Sequence, residues 1–294
     1  MTSTALEAFF AGHPVFTVAE MDHFLDARRG GKATNPQTRQ ALLGYYQEQG
    51  RLRHVRRGLY AVERLEEVGN QGERQRDANT FSNTHTFGSA DTFLIAARLT
   101  PDAVLAYHTA LELHGLAHTI REERVCLSQQ KLVRPLHFGG ILYRAIRPPA
   151  ALLAGDQLTL GVETQDRQGL PLRVTGLERT LVDILDRPVL DGSWEEVVRS
   201  WDGVALALDF SFLLHYVRLL GSTTTAARLG YVLEAGQERL AVPDSVLKDL
   251  RELTPRQPHP AERGLTGPTR LVRPWNLLVP ATTTEEPFPE EDFE

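Results

Sequence analysis

The segment from residue 35 to residue 62 restricts the fold of this chain more than any other. Asn35 is a favourable helix N-cap, Pro36 suits the first helical position and Gly50 supplies the matching C-terminal stop. After this predicted helix of residues 36–49, the stretch RLRHV alternates polar and apolar residues, RRG forms a turn and LYAV returns. The pattern therefore predicts a helix that leads directly into a basic β-hairpin.

Two further helices are predicted upstream. Residues 4–11 form a short helix, and Thr17 with Glu20 forms a capping box in which each side chain accepts a hydrogen bond from the other's backbone N–H. The box starts a second helix, VAEMDHFLDAR, whose apolar residues recur at helical spacing before two glycines end it. Three helices followed by a hairpin is the order of a winged helix-turn-helix, so residues 1–62 are predicted to form such a DNA-binding domain.

The two parts of the chain carry opposite net charge. The whole chain has a net charge of −6, but residues 1–62 contain eight basic and five acidic side chains, which gives +3. The remaining residues therefore carry −9. Because duplex DNA is a polyanion, this asymmetry predicts that DNA contact belongs to the first 62 residues and that the acidic remainder repels DNA.

The candidate DNA-binding residues lie in the loop before the third helix, in the first turn of that helix and in the hairpin. Amide, hydroxyl and guanidinium groups reach base edges and phosphates when a recognition helix enters the major groove, and wing arginines suit phosphates and the minor groove. Alternation in the hairpin is expected to send Leu52 and Val55 toward the helices and to leave the arginines facing the duplex. The alternative interpretation is a solvated helix turn and a solvated basic strand pair. The predicted DNA-binding residues are Lys32, Thr34, Asn35, Gln37, Thr38, Arg39, Gln40, Arg51, Arg53, His54, Arg56 and Arg57.

Two expectations concern the packing around these residues. The residues of the third helix predicted to share one side are Ala41, Leu42, Tyr45 and Tyr46. Gly58 is expected to hold the hairpin turn at positive φ, a conformation that glycine adopts without strain, with Tyr60 packed under the hairpin.

The rest of the chain is predicted to form a linker, a second domain and a tail. Residues 63–90 are polar and lack periodicity, which predicts a flexible linker. Residues 91–280 are predicted to form a mixed α/β domain, and residues 281–294, with six acidic and no basic side chains, a disordered acidic tail. The predicted elements of the second domain are a helix over 101–115, strands over 123–128, 138–147, 157–164 and 171–175, and helices in LERTLVDILD, SWEEVVRSW, DFSFLLHYVRLL and TTAARLGYVLEA. The predicted fold class of the whole chain is α+β.

The second domain carries no recognisable catalytic or metal pattern. His114 and His118 are four residues apart, but Gly115 interrupts the predicted helix between them. No third potential metal ligand lies at a spacing typical of zinc sites. Glu178 and Asp183 lie five residues apart, on divergent faces of a predicted helix. No lysine has an acidic residue two positions before it, and no phosphate-binding loop or nucleophile elbow occurs. The sequence therefore predicts no catalytic residue, no metal site and no cofactor.

The cysteine content and the hydropathy indicate a compartment. The single cysteine, Cys126, lies in ERVCLS, which has the pattern of a buried strand, so a packed and inert thiol is expected. No apolar run reaches the ~18 residues of a membrane helix, and the N-terminus lacks the features of a signal peptide. A cytoplasmic protein without membrane contact is expected.

Several segments, in their order along the chain, resemble the AbiEi-type antitoxins. In the first part these are HPVFTVAEM and RLRHVRRGLYAV; in the second they are DTFLIAARLTPDAVLAYHTALELHGL, VTGLERTLVDIL and ARLGYVLE. They cover about residues 1–62 and 91–240. The resemblance implies a type IV toxin-antitoxin system of phage defence, whose antitoxin represses its own operon through the winged domain and counteracts a nucleotidyltransferase toxin. The implied partners are the operator DNA of that operon and the toxin, with direct contact to the toxin left open.

Two other functions stay open at this point. The chain could be a one-component transcriptional regulator whose second domain binds a small ligand, which a deep apolar pocket with convergent polar groups would favour. It could also be a diverged DNA-targeted nuclease, which would need a carboxylate cluster formed from distant segments. The long polar linker and the acidic tail depart from the antitoxin pattern and leave the relative placement of the two domains open.

Overall fold

A computed structural model describes residues 3–63, 90–130, 134–205 and 207–281. Nearly all of the predicted linker, residues 64–89, and the predicted tail after residue 281 lie outside the described residues. Helices and strands occur in both parts of the chain that the linker would separate, which confirms the predicted α+β class. We refer to residues 3–63 as the N-terminal region and to residues 90–281 as the second region.

The N-terminal region contains three helices and three strands. In chain order they are α1 (Ser3–Gly12), β1 (Val15–Thr17), α2 (Val18–Arg28), α3 (Pro36–Glu48), β2 (Leu52–Arg56) and β3 (Leu59–Val62). The capping box is formed as predicted, with the backbone N of Glu20 donating to Thr17 Oγ1 at 3.2 Å and the backbone N of Thr17 donating to Glu20 Oε2 at 2.6 Å. At the start of α3 the backbone N of Gln37 donates to Asn35 Oδ1 at 2.9 Å. Local capping therefore determines where α2 and α3 begin.

The three strands form an antiparallel sheet in the order β1-β3-β2, and this sheet is covered on both faces. One face packs Phe16, Tyr60 and neighbouring side chains against the helices. The opposite face packs Val55 and Leu59 into a cluster that also contains residues of the second region. Because both faces are covered, all four residues of β3 are buried, and LYAV forms a continuous apolar run.

The second region is built around a larger sheet. Its elements are α4 (Thr92–Ala97), β4 (Val104–Leu105), α5 (His108–His114), β5 (Glu123–Leu127), β6 (Leu136–Phe138), β7 (Ile141–Ile146), α6 (Ala150–Ala154), β8 (Val162–Arg167), β9 (Leu170–Thr175), α7 (Leu177–Asp186), α8 (Trp194–Asp202), α9 (Phe210–Leu220), α10 (Thr223–Ala235), α11 (Gln237–Leu240), α12 (Asp244–Glu252), β10 (His259–Pro260), β11 (Thr269–Val272) and β12 (Leu277–Pro280). Short 3-10 turns occupy Pro188–Leu190 and Arg273–Trp275. No helix within the described residues is long and apolar enough to cross a membrane.

A six-stranded mixed sheet, in the order β6-β7-β5-β4-β9-β8, divides the core of the second region into two layers. Val125 and Leu127 point into the layer formed with α7 to α10 and α12. Between them, Cys126 points into the other layer, which contains α4 and the outer face of the N-terminal sheet. The alternation along β5 thus places Cys126 in the same layer as Val55 and Leu59.

Some predicted elements of the second region differ from the observed ones. The predicted helix over 101–115 is wrong in its first half, because residues 104–105 pair with both β5 and β9 and α5 begins only at His108. The non-local strand pairing outweighs the helical pattern of this apolar run. The strand predicted over 138–147 begins only at Ile141, as β7, because Gly139 and Gly140 turn the chain at positive φ after β6. The strand predicted from 157 starts only at Val162, whereas α7 has the predicted ends.

Candidate nucleic-acid interface

The solvent-facing side of α3 carries four side chains in one stripe. Gln37, Thr38, Ala41 and Tyr45 are exposed, and their spacing places them on one face of the helix. The Tyr45 ring is 56% exposed although it is large and apolar. The opposite side of α3 packs its buried residues into the core of the N-terminal region.

The prediction that Ala41, Leu42, Tyr45 and Tyr46 share one side is wrong. Tyr46 is buried and Leu42 packs against the core, whereas Ala41 and Tyr45 face solvent. Tyr46 lies about 100° around the helix from Tyr45, a rotation that turns its side chain toward the core. A helical projection of the sequence could have identified Tyr45 as an exposed residue of α3.

Arg39 lies on the inner side of α3, away from this stripe. Its Nη1 is 2.6 Å from Oδ2 of Asp22, and both side chains are about three-quarters covered. Four residues after Arg39 comes Leu43, which is buried, so the guanidinium lies on the packed side of the helix. The ion pair joins α3 to α2.

The segment before α3 is shaped by its own hydrogen bonds. The backbone N and Oγ1 of Thr34 donate to Oδ1 of Asp26 at 2.7 and 2.6 Å, which ties the segment to α2. Asn35 caps α3. Lys32 and Gln40 are exposed. Of the predicted site residues here, Thr34 and Asn35 therefore have structural partners, and Lys32 and Gln40 face solvent.

The hairpin arginines are mostly held by other parts of the protein. Arg51 pairs with Glu7 on α1. Arg53 pairs with Glu63 at 3.2 Å, and its guanidinium carbon lies 4.5 Å from the centre of the Phe138 ring in the second region. Arg56 donates from Nη2 to the backbone carbonyl of Leu99, also in the second region.

The expectation that the alternation leaves all four arginines facing outward, with Val55 toward the helices, is therefore wrong. Leu52 does face the helices, but Val55 is an odd number of residues away and points to the opposite face, where the second region packs. Arg57 and His54 are the predicted hairpin residues that face solvent, alongside the half-exposed Arg53.

The turn of the hairpin has the predicted geometry. Gly58 adopts φ +78°, and its carbonyl accepts a hydrogen bond from the backbone N of Val18 at 2.9 Å. Tyr60 is buried, and its ring stacks on Phe16 with the ring centres 5.8 Å apart. Gly58 therefore fixes the hairpin to the start of α2, and Arg57 stands at the tip of the turn.

Polar contacts join the N-terminal region to the second region around the shared apolar cluster. Besides the contacts of Arg53 and Arg56, Nη2 of Arg98 lies 3.5 Å from Oε1 of Glu20, the capping-box carboxylate of α2. The sheet of the N-terminal region is thus enclosed between its own helices and α4 of the second region.

Two histidines of α5 make hydrogen bonds to neighbouring segments of the second region. On α5, His108 lies buried with Nδ1 2.8 Å from Oδ1 of Asp191 and Nε2 3.0 Å from the carbonyl oxygen of Thr119. Burial raises the pKa of Asp191 above its ordinary value. His114 Nε2 is 2.8 Å from the carbonyl of Thr175. These contacts join α5 to the surrounding loops and strands.

A second buried polar cluster joins α7 to α9. Tyr216 donates its hydroxyl to Oδ1 of Asp183 at 2.6 Å, and Arg179 lies 3.5 Å from Oδ2 of the same carboxylate. Burial raises the pKa of Asp183 to about 6, against the opposing effect of Arg179. The described residues contain no group of three or more His, Cys, Asp or Glu side chains arranged to hold a metal ion.

A cleft of about 360 Å³ opens on the second region. The Phe93 ring in its wall has the guanidinium carbon of Arg124 4.5 Å from its centre and that of Arg167 at 4.4 Å. Its lining residues are Phe93, Glu112, Leu113, Gln165, Asp166, Arg167 and Leu172. Four of these seven are polar, so the cleft differs from a deep apolar pocket.

Comparisons with known proteins give a fold but no family. No protein-family model matches the chain, and no curated protein matches it. Among solved structures, the chain is similar to the RV2827C protein from Mycobacterium tuberculosis, with a TM-score of 0.56 and 16% sequence identity over 94% of this chain and 90% of that chain. At this identity the likeness is one of fold, and it extends over both regions of the molecule.

Proposed function

We propose that this protein binds duplex DNA as a transcriptional regulator and that its N-terminal region acts as a winged helix-turn-helix. The order α1-β1-α2-α3-β2-β3 supports this, since α3 follows α2 after a short loop and the hairpin follows α3 directly. The observation that carries the proposal is the exposed stripe along α3. A helix held from behind by a packed core and presenting amide, hydroxyl and methyl groups matches the shape and chemistry of the major groove.

The proposed phosphate contacts are the exposed cations that flank α3 in the chain. Lys32 lies in the loop before α3, Arg57 lies at the tip of the hairpin turn, and Arg28 and Arg29 are exposed at the end of α2. Cations in these positions would meet the backbone on both sides of the groove. Arg39, Arg51 and Arg56 serve instead to hold the region in shape.

Titration with the DNA upstream of the protein's own gene tests this proposal. We expect tighter binding than to random duplex, with log affinity falling linearly with log salt. The double variant Lys32→Ala/Arg57→Ala should flatten that slope by roughly two. Arg199→Ala is the matched control, because Arg199 is an exposed arginine of α8 paired with Glu195 at 2.6 Å, remote in sequence from α3. A slope equal to that of the wild type in the double variant would contradict the proposed mode of DNA binding.

We further propose the antitoxin role that the sequence resemblance implies: repression of its own operon and counteraction of a nucleotidyltransferase toxin. The support is the resemblance of segments that include α5 and α7. Co-expression with a nucleotidyltransferase encoded beside this gene should restore growth that the toxin alone arrests. The Lys32→Ala/Arg57→Ala variant should restore growth equally, because neutralisation is assigned to the second region. Arrest that persists with folded, expressed protein would contradict the antitoxin role.

The cleft beside Phe93 favours a second candidate, a regulator whose second region binds a small polar ligand. Its wall offers both carboxylate and guanidinium groups around an aromatic ring. A thermal-shift screen of small polar metabolites with the full chain would test it. A hit whose stabilisation disappears in Asp166→Asn, at an exposed residue of the cleft, would support this candidate over the antitoxin role.

A further inference from the structure

We infer that the exposed stripe of α3 selects a half-site rich in A·T base pairs. The inference rests on the proposed DNA binding and goes further by assigning the base type. Its basis is the chemistry of the four side chains in the stripe together with the withdrawal of Arg39 to the inner side of the helix.

Gln37 supplies the polar part of the recognition. It lies exposed in the first turn of α3, and its backbone is fixed by the Asn35 cap at 2.9 Å. A glutamine amide donates one hydrogen bond and accepts another, which matches N7 and the N6 amino group of adenine in the major groove. The cap sets the position of Gln37 before DNA is bound, which reduces the entropy lost on binding.

The apolar part of the stripe matches the thymine methyl group. Ala41 and Tyr45 follow Gln37 at intervals of four residues, and Thr38 adds a methyl group beside them. The Tyr45 ring is held edge-to-face against Tyr46, with the ring centres 5.2 Å apart, so it is partly ordered although 56% exposed. In the major groove, the C5 methyl of thymine is the apolar group that distinguishes an A·T pair.

The stripe lacks the side chains that read guanine most strongly. Arg39 is the only arginine or lysine between Pro36 and Glu48, and its guanidinium pairs with Asp22 on the inner side. Exposed Glu48 follows three residues after Tyr45, and its charge repels phosphates and favours entry of the N-terminal end of α3. Guanine O6 and N7 are acceptors that call for arginine or lysine, so the stripe discriminates against G·C pairs.

Selection of binding sites from random duplexes by the full chain is the first test. We expect the enriched half-sites to share adjacent A·T pairs, and enrichment of G·C pairs throughout the half-site would overturn the inference while leaving the proposed function intact. Failure to bind any duplex would contradict the proposed function and the inference together.

Base analogues in the selected site give the second test. Replacing a contacted thymine by uracil removes its methyl group and should weaken wild-type binding about fourfold. The Tyr45→Ala variant should bind the duplex with thymine at the contacted position and the duplex with uracil there with equal affinity. The Gln47→Ala variant, changed at an exposed residue off the stripe, should still bind the thymine duplex more tightly than the uracil duplex. Equal wild-type binding to both duplexes at every thymine would overturn the role of the apolar part.

The matching test for Gln37 uses 7-deazaadenine, which lacks the N7 acceptor. Wild-type protein should lose about tenfold in affinity, and Gln37→Ala should lose nothing further from the same analogue. An unchanged penalty in Gln37→Ala would remove Gln37 from the recognition.

Discussion

Helix α3 and the β2–β3 hairpin contain most of the residues predicted to bind DNA, yet their surroundings in the folded protein differ. On α3, three of the four stripe residues have short side chains or an amide, and the stripe faces solvent. In the hairpin, Arg53 and Arg56 reach into the second region. The reason is that α3 packs on one side only, whereas the sheet is covered on both faces. A basic segment therefore keeps its charges free for an external partner only where nothing else in the fold covers it.

The largest expected effect is on the reactivity of Cys126, whose thiol lies in the layer beneath the hairpin. Burial raises the pKa of the Cys126 thiol to about 12. At pH 8 the folded protein should react with a thiol reagent roughly a thousandfold more slowly than an ordinary cysteine does, because so little thiolate is present. Thr38→Cys combined with Cys126→Ser places the thiol on the exposed stripe instead and should react at an ordinary rate. Equal rates for the two proteins would show that the layer under the hairpin is open.

The raised pKa of the Cys126 thiol makes the free energy of unfolding depend on pH. The folded pKa of Cys126 is raised, so the unfolded thiol ionises first as the pH increases. The contribution of this thiol to the free energy of unfolding should therefore be complete at neutral pH and decrease above about pH 9. Denaturant titrations of the wild type and of Cys126→Ser at pH 7 and pH 10 check this. Between the two pH values, the free energy of unfolding should fall more in the wild type than in Cys126→Ser.

A smaller effect is expected from Leu59, which joins the hairpin to the second region. It is 2% exposed and belongs to the shared cluster, so Leu59→Ala should lower the free energy of unfolding by about 2 to 4 kcal/mol. Gln40→Ala, on the exposed part of α3, should change it by less than about 0.5 kcal/mol. If Leu59→Ala lowered the free energy of unfolding as little as Gln40→Ala does, the two regions would not be packed together.

Two adjacent arginines provide a matched pair within the hairpin. Arg57 is exposed at the turn, and Arg56 is bonded to the Leu99 carbonyl. Arg57→Ala should flatten the dependence of log affinity on log salt by about one, and Arg56→Ala should leave it unchanged. The reverse result would mean that Arg56 leaves Leu99 when DNA binds.

The smallest effect belongs to Arg39. Arg39→Ala removes a partly covered ion pair with Asp22 and should lower the free energy of unfolding by about 0.5 to 1 kcal/mol. Since Arg39 lies off the stripe, the ratio of affinities for the selected site and random DNA should stay the same. A loss confined to the selected site would restore Arg39 as a base-reading residue.

The sequence alone determined the features that depend on nearby residues. The capping box of Thr17 and Glu20, the Asn35 cap, the positive φ of Gly58 and the ends of α7 all match the sequence predictions. Each depends on interactions within a few residues or on the conformational freedom of one glycine. Such interactions are present in every conformation that brings the local segment together, so the pattern of residues is sufficient to predict them.

Only the tertiary structure decided which polar groups are available for binding. Arg56 and its partner Leu99 are 43 residues apart, and Arg39 and Asp22 are 17 apart. The strand at residues 104–105 likewise exists because β5 and β9 lie on either side of it. These contacts depend on how separate elements pack, and an arginine that faces solvent has the same local sequence signal as one that reaches across an interface. The burial of the sheet on both faces therefore decided which hairpin arginines stay exposed.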